Sequence, residues 1–158
     1  MPDVAPLLSH WLQREWPHAY GKERADSVVE SIQNYDRMPL CLVAYNTGLV
    51  PCGMTAVVEG TTPTGDPVAL VVTLYVEPAF RRSGIGVALC RRAVAEARRL
   101  GWHRIGAYTV DKEEFFQRLG WQVVMPAIIP SNPPARRHVW YVEHPEENDH
   151  AHSLQACA

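Results

Sequence analysis

The strand-like run Val68 to Val76 passes through a short loop, Glu77 to Arg82, into a helix that opens at Gly84-Ile85-Gly86. Such a junction leaves the first N–H groups of a helix without carbonyl partners and gathers them around one spot. Glycine matters there because a Cβ would hold an anion away from the main chain. Arg81 and Arg82 add charge to the field of the helix dipole. Together with Ser83 and Val87 the stretch reads as a nest of backbone donors suited to a pyrophosphate. By itself it supports anion binding and no more, and the competing reading is a tight turn with solvated arginines. The dinucleotide fingerprint G-x-G-x-x-G is incomplete, because Leu89 stands where its third glycine would be, and the phosphate-binding lysine motif is absent. Nucleoside triphosphate chemistry is disfavoured.

The segments around this junction set the fold class. Val4 to Trp16 places Leu7, Leu8, Trp11, Leu12 and Trp16 near helical spacing, and Pro17 stops it. Lys22 to Arg37 is a second amphipathic helix, ended by Met38-Pro39. Three apolar, β-branched runs follow: Leu40 to Tyr45, Gly53 to Val58 and Val68 to Val76. The turn Asn46-Thr47-Gly48 and the loop Gly60 to Asp66 predict an antiparallel meander. Gly84 to Leu100 is a helix with Gly101 as its C-terminal stop. Then come a strand from Arg104 to Thr109, a helix from Lys112 to Leu119 ending at Gly120, and a strand from Trp121 to Val124. A proline-bearing loop, Pro126 to Pro134, leads to a last strand, His138 to Val142. The expectation is an α/β domain with a mixed, mostly antiparallel central sheet flanked by helices. It spans 1–143, with 144–158 a disordered polar tail.

Composition narrows the function classes. With 158 residues, 47% hydrophobic, the chain closes one core. Fifteen Lys and Arg against seventeen Asp and Glu give a net charge of −2, so no global footprint points to nucleic acid or an anionic membrane. No apolar run reaches bilayer length and no signal-peptide pattern opens the chain, which predicts a cytoplasmic protein. Cys41, Cys52, Cys90 and Cys157 lack metal-ligand or disulfide-framework spacing and read as reduced thiols. His144, His150 and His152 near Glu146 and Glu147 read as part of the tail, so no metal is assigned.

The stretch Val76-Glu77-Pro78-Ala79-Phe80-Arg81-Arg82-Ser83-Gly84-Ile85-Gly86-Val87-Ala88-Leu89 resembles the acetyl-CoA motif of the GNAT superfamily of N-acetyltransferases, [R/Q]-x-x-G-x-[G/A], with Arg81, Gly84 and Gly86 in its defining places. Phe115-Phe116-Gln117-Arg118-Leu119-Gly120-Trp121 is similar to the superfamily's later F-Y-x-x-L-G-[F/W] segment. The resemblance covers roughly Leu40 to Val142. It implies a V between the strands the family counts as fourth and fifth, here those ending near Val76 and Thr109. It also implies pantetheine contacts from the backbone of Leu74, Tyr75 and Val76, pyrophosphate contacts from Arg82 to Val87, a cofactor contact at Phe116, and acetyl-CoA as co-substrate.

At Phe116 the superfamily often has a tyrosine that can protonate the departing thiolate, and phenylalanine cannot. No carboxylate stands in the strand Val68 to Val76 to serve as base. Tyr108 and Asp111 are the candidates for proton handling or amine binding. Favoured over that role, Tyr108 reads as a packed aromatic with a surface hydroxyl and Asp111 as a helix N-cap. Trp11, Trp16 and Tyr20 either wall an acceptor pocket or belong to the core. The first expectation is acetyl transfer to a small-molecule primary amine. Glu15-Trp16-Pro17 and Pro39-Leu40-Cys41-Leu42 loosely resemble the actin N-terminal acetyltransferase, which keeps a peptide N-terminus as an alternative acceptor. A non-catalytic acyl-CoA sensor is another reading, and a homodimer stays open as the assembly.

Overall fold

The computed structural model describes residues 3–130 and 136–145. Two helices, α1 (Ala5–Glu15) and α2 (Lys22–Ser31), precede the strands β1 (Leu40–Tyr45), β2 (Pro51–Thr61) and β3 (Pro67–Val76). A short 3-10 turn, Pro78–Phe80, leads into α3 (Ile85–Arg99), then β4 (Ile105–Thr109), α4 (Glu113–Arg118), β5 (Gln122–Pro130) and β6 (Arg136–Glu143). The strands form one sheet in the order β1-β2-β3-β4-β6-β5, antiparallel throughout except for the β3–β4 pair. The expected mixed, mostly antiparallel sheet with flanking helices is present.

Several boundaries differ from expectation, and the three largest differences have physical reasons. Helix α2 stops at Ser31 rather than Arg37 because the Asn34 amide donates both to Ser31 O (3.0 Å) and to Pro39 O (2.6 Å), closing the chain into β1. Strand β2 runs three residues past Val58, and the turn to β3 tightens to Thr62–Asp66. Thr62 N donates to Asp66 O at 2.8 Å, and Gly65 takes φ +91°. Strand β5 continues through Pro126 to Pro130, where a loop was expected, paired with β6 as far as Pro130↔Arg136. Its prolines are tolerated because β5 is an edge strand, where a missing N–H leaves no ladder bond unmade.

The sheet separates two clusters of buried side chains. On the α3/α4 face Val57, Val71, Ala93, Ile105 and Val142 pack with Phe116 and Trp121. On the α1/α2 face Leu8, Trp11, Leu12, Val29, Met54 and Tyr75 do the same. Helix α3 lies close to β2 because Gly53 has no side chain. A Cβ there would sit 2.8 Å from Tyr75 O and 3.1 Å from Leu89 Cδ1. The end of the domain is fastened by Tyr141, fully buried, whose hydroxyl donates to Glu143 Oε2 at 2.9 Å. Arg104 Nε meets Glu143 Oε1 at 2.9 Å. The expected tail began at His144, yet His144 N donates to Ile105 O at 2.9 Å and its ring packs on Trp121. Residues from 146 on, including His150, His152 and Cys157, lie outside the described residues.

Candidate active site

Two irregularities in β3 shape the site. The parallel ladder with β4 contains only Ala69↔Ile105 and Leu70↔Gly106, although β3 runs on to Val76 and β4 to Thr109. Counted along this chain, β3 and β4 are the two strands expected to part, and among the described residues no pairing joins them beyond Leu70 and Gly106. The second irregularity is a bulge. Met54 faces Tyr75 and Ala56 faces Val72, so Thr73 and Leu74 together oppose Thr55. Thr73 takes φ +51°, a left-handed conformation that β-branched residues avoid at a cost of about 1–2 kcal/mol. Because side chains alternate along a strand, one extra residue reverses the alternation. Val72 and Tyr75 both face α1 and α2 as a result.

Past Val76 the chain enters the anion nest. Arg82 takes φ +63° and Gly84 φ +84°, a succession that turns backbone N–H groups inward. Gly84 is the N-cap of α3, no side chain caps the helix, and the first helical bond from its carbonyl is made by Ala88 N at 3.0 Å. The leading N–H groups, Ile85 to Val87, are those a helix cannot satisfy itself. Ser83 does not face an incoming anion, because its hydroxyl donates to Phe80 O. Arg81 folds back as a strut. Its Nε donates to Val76 O at 2.8 Å, Nη2 lies 3.9 Å from Glu15, and the guanidinium sits over the Tyr75 ring. Glu77 accepts the Trp11 indole N–H and approaches Arg14, which makes it structural.

Gly86 tests whether this nest fits a phosphate. A Cβ at Gly86 would meet only Val76 Cγ2 at 3.7 Å and the Phe115 ring at 3.8 Å, ordinary contacts. Nothing within the protein requires glycine there, whereas a group approaching the main chain between Val76 and Phe115 would. Sequence reasoning placed that aromatic contact at Phe116. In the structure Phe116 is a core residue, 5% exposed and 4.8 Å from the Trp121 ring, while the partly buried Phe115 faces Gly86. The two rings are adjacent in sequence and nearly perpendicular, and only helix α4's orientation decides which one reaches the nest.

The proposed proton-handling residues are held by other bonds or stand apart. Tyr108, at the end of β4, donates its hydroxyl to Thr61 O at 2.7 Å, and burial pushes its phenol pKa up. Asp111 is exposed and does not cap α4. The N-cap is Lys112, whose N–H is accepted by Thr109 Oγ1 at 2.9 Å. Burial also pushes Cys41 and Cys90 up to about 12, which keeps both as thiols at neutral pH. Among the described residues no group of three or more His, Cys, Asp or Glu is placed to hold a metal ion. No helix among them is long and apolar enough to cross a membrane.

One residue escaped sequence reasoning altogether. Thr73 carries a buried hydroxyl with no hydrogen-bond partner, at the most strained position in β3. A β-branched residue inside a strand gives no sequence signal for a bulge. Tyr75 likewise buries its hydroxyl unpartnered, against Trp11 at 5.3 Å and Trp16 at 6.4 Å. Its pKa is raised by burial first and by Glu77 second.

The site thus consists of a mixed sheet with an unpaired gap beside a glycine-headed helix. The Acetyltransferase (GNAT) family profile matches residues 5–121, and the chain belongs to that family. It is therefore an acyltransferase of the N-acetyltransferase type. No functionally curated protein matches it. Among solved structures it is similar in fold to the aminoglycoside 6'-N-acetyltransferase from Enterococcus faecium, with TM-score 0.69 at 19% identity over 94% of this chain and 95% of that one. A GCN5-related N-acetyltransferase from Kribbella flavida gives TM-score 0.70 at 19% identity over 92% and 94%. Arabidopsis thaliana NAA60, solved with a bisubstrate analogue, gives 0.67 at 12% over 90% and 92%.

Proposed function

We propose that the chain transfers the acetyl group of acetyl-CoA to a small-molecule primary amine by direct attack in a ternary complex. The observation that carries this reading is the β3–β4 gap ending at the nest. Leu74 to Val76 have backbone free of β4 at that edge, and the loop from Arg82 leads into Ile85 to Val87, the leading N–H groups of α3. A pantetheine arm would add to β3 like an extra strand, with its pyrophosphate against residues 82–87 and its thiol end near Leu74. Coenzyme A in the complex of a similar-fold aminoglycoside 6'-N-acetyltransferase supports the same ligand class.

The chemistry required of the protein is modest. The neutral amine nitrogen bonds to the thioester carbonyl carbon, the C–S bond breaks, sulfur leaves with its electron pair, and the amine gives up one proton. A thiolate, with a thiol pKa of about 8.5, leaves without a dedicated acid, so Phe116 does not prevent turnover. Tyr108, protonated and bonded to Thr61, can still accept an amine hydrogen bond with its remaining lone pairs. Asp111 is left to attract an ammonium group at the end of β4. The test is CoA release from acetyl-CoA over a broad amine panel. Release with at least one small amine is expected. Acetyl-CoA binding without release on any acceptor would point instead to a sensor domain.

A further inference from the structure

Between α2 and the sheet lies a cavity of about 500 Å³. Most of its wall is apolar, from Val28 on α2, Ile32 at its C-cap, Met38 just before β1, and Val58 and Val72 on the strands. Ser31 stands exposed at its α2 side. Among the residues lining it Glu59 alone carries a charge, and Glu59 is exposed at the rim. Thr73 lines its inner end, one residue before the segment Leu74 to Val76 and on the bulge that reverses the face of β3.

We infer that this cavity selects the acceptor, and that the acceptor is a monoamine carried on an apolar body rather than a polycationic sugar. This rests on the acetyl-transfer reading above and specifies its second substrate. The volume suits a small organic molecule, and cavities of this size gain affinity from apolar burial with a few polar groups fixing orientation. A ligand with several ammonium groups would bring charges into an apolar wall that offers a single carboxylate, and each unpaired buried charge is strongly penalised. An aliphatic or aromatic body matches the apolar interior, and a single amine, entering neutral at the reacting end, leaves no second charge to be buried without a partner. The bulge places the inner end of the cavity beside Leu74, so a body seated under α2 directs its amine toward the thioester. Such a partition gives Thr73 a function for its strain. Its hydroxyl is buried without a partner on a residue that lines this cavity.

The test compares 2-phenylethylamine, tobramycin and a peptide with a free N-terminal methionine as acceptors for the full chain. It is repeated with Ser31→Phe and Val28→Phe, which fill the cavity from α2. The native chain is expected to favour 2-phenylethylamine over tobramycin by at least about tenfold in kcat/KM. Either filled variant should raise the phenylethylamine KM by about tenfold, a typical worth for apolar pocket contacts, while acetyl-CoA affinity stays native. A preference for tobramycin or for the peptide, or an unchanged KM in both variants, overturns the inference. If no amine turns over while acetyl-CoA binds, the acetyl-transfer reading fails, and calorimetry with 2-phenylethylamine and CoA decides separately. Binding that is lost in the filled variants supports the cavity's selectivity, and absence of binding to the native chain overturns it.

Discussion

The two faces of the sheet are organised for different tasks. On the α3 face the backbone does the work. A close helix–strand approach at Gly53, left-handed turns at Arg82 and Gly84, and a bare position at Gly86 leave main-chain donors exposed beside Phe115. On the α1/α2 face side chains do the work. Trp11, Trp16 and Tyr75 pack as an aromatic block, and beyond them an apolar cavity opens under α2. The bulge at Thr73 joins the two, because it ends the regular alternation of β3 just where the β4 partner has been lost. A backbone site of this kind accepts one ligand shape whatever the surrounding side chains. A side-chain cavity is remade by any substitution in its wall. On the proposed reading, the difference teaches that the acyl donor and the acceptor would be read by separate means within one strand.

The sharpest way to break this contrast is to truncate the two neighbouring phenylalanines separately. Phe116→Ala is expected to destabilise the domain by about 3–5 kcal/mol in urea unfolding, because it empties a core position. Phe115→Ala should lose much less stability and instead weaken acetyl-CoA binding. Equal losses of stability would mean that Phe115 is core as well. Next in size, Gly86→Asp should weaken acetyl-CoA binding by about 2 kcal/mol or more, roughly thirtyfold, by setting a carboxylate against the pyrophosphate. Its melting temperature should stay near native, since the added Cβ makes only ordinary contacts. Unchanged affinity in the folded variant would remove the nest from the donor site.

Thr73→Gly should leave stability within about 1 kcal/mol of native, since relief of the left-handed strain offsets glycine's greater freedom in the unfolded chain. A loss well beyond that would show that the hydroxyl or methyl is needed for folding rather than for the acceptor side. The smallest effect concerns α3. Arg99 and Arg92 hold the Glu96 carboxyl below its usual value, with Arg99 at 2.7 Å the larger cause. A depressed folded pKa means stability that is present above the ordinary glutamate value of 4.5 and fades as pH falls through the folded one. Glu96→Gln should flatten stability against pH in that acidic range and leave acceptor selectivity untouched.

Much of the donor side was legible because its requirements are local. The positions at Gly84 and Gly86, the helical period from Ile85 to Ala97 and the stop at Gly101 all act within a few residues of sequence. The strands of the meander were legible for the same reason, apart from their ends. Side-chain bonds to the backbone and placement in the sheet, which hydrophobic period does not carry, decided the rest. Strand β5 hides its prolines on an edge, α2 ends early because Asn34 reaches Pro39, and the N-cap of α4 is Lys112 rather than Asp111, with its N–H accepted by Thr109 Oγ1.

The acceptor side shows the limit most plainly. The sequence by itself determined the alternating sheet, the glycine-headed helix and hence the family, since propensity, period and turn chemistry are carried by neighbouring residues. Only the tertiary structure decided that Phe115 rather than Phe116 meets the nest, that β3 bulges at Thr73, and that α2 roofs a cavity. Those outcomes depend on how helices and strands far apart in sequence share space, and close packing has no signature within any one segment.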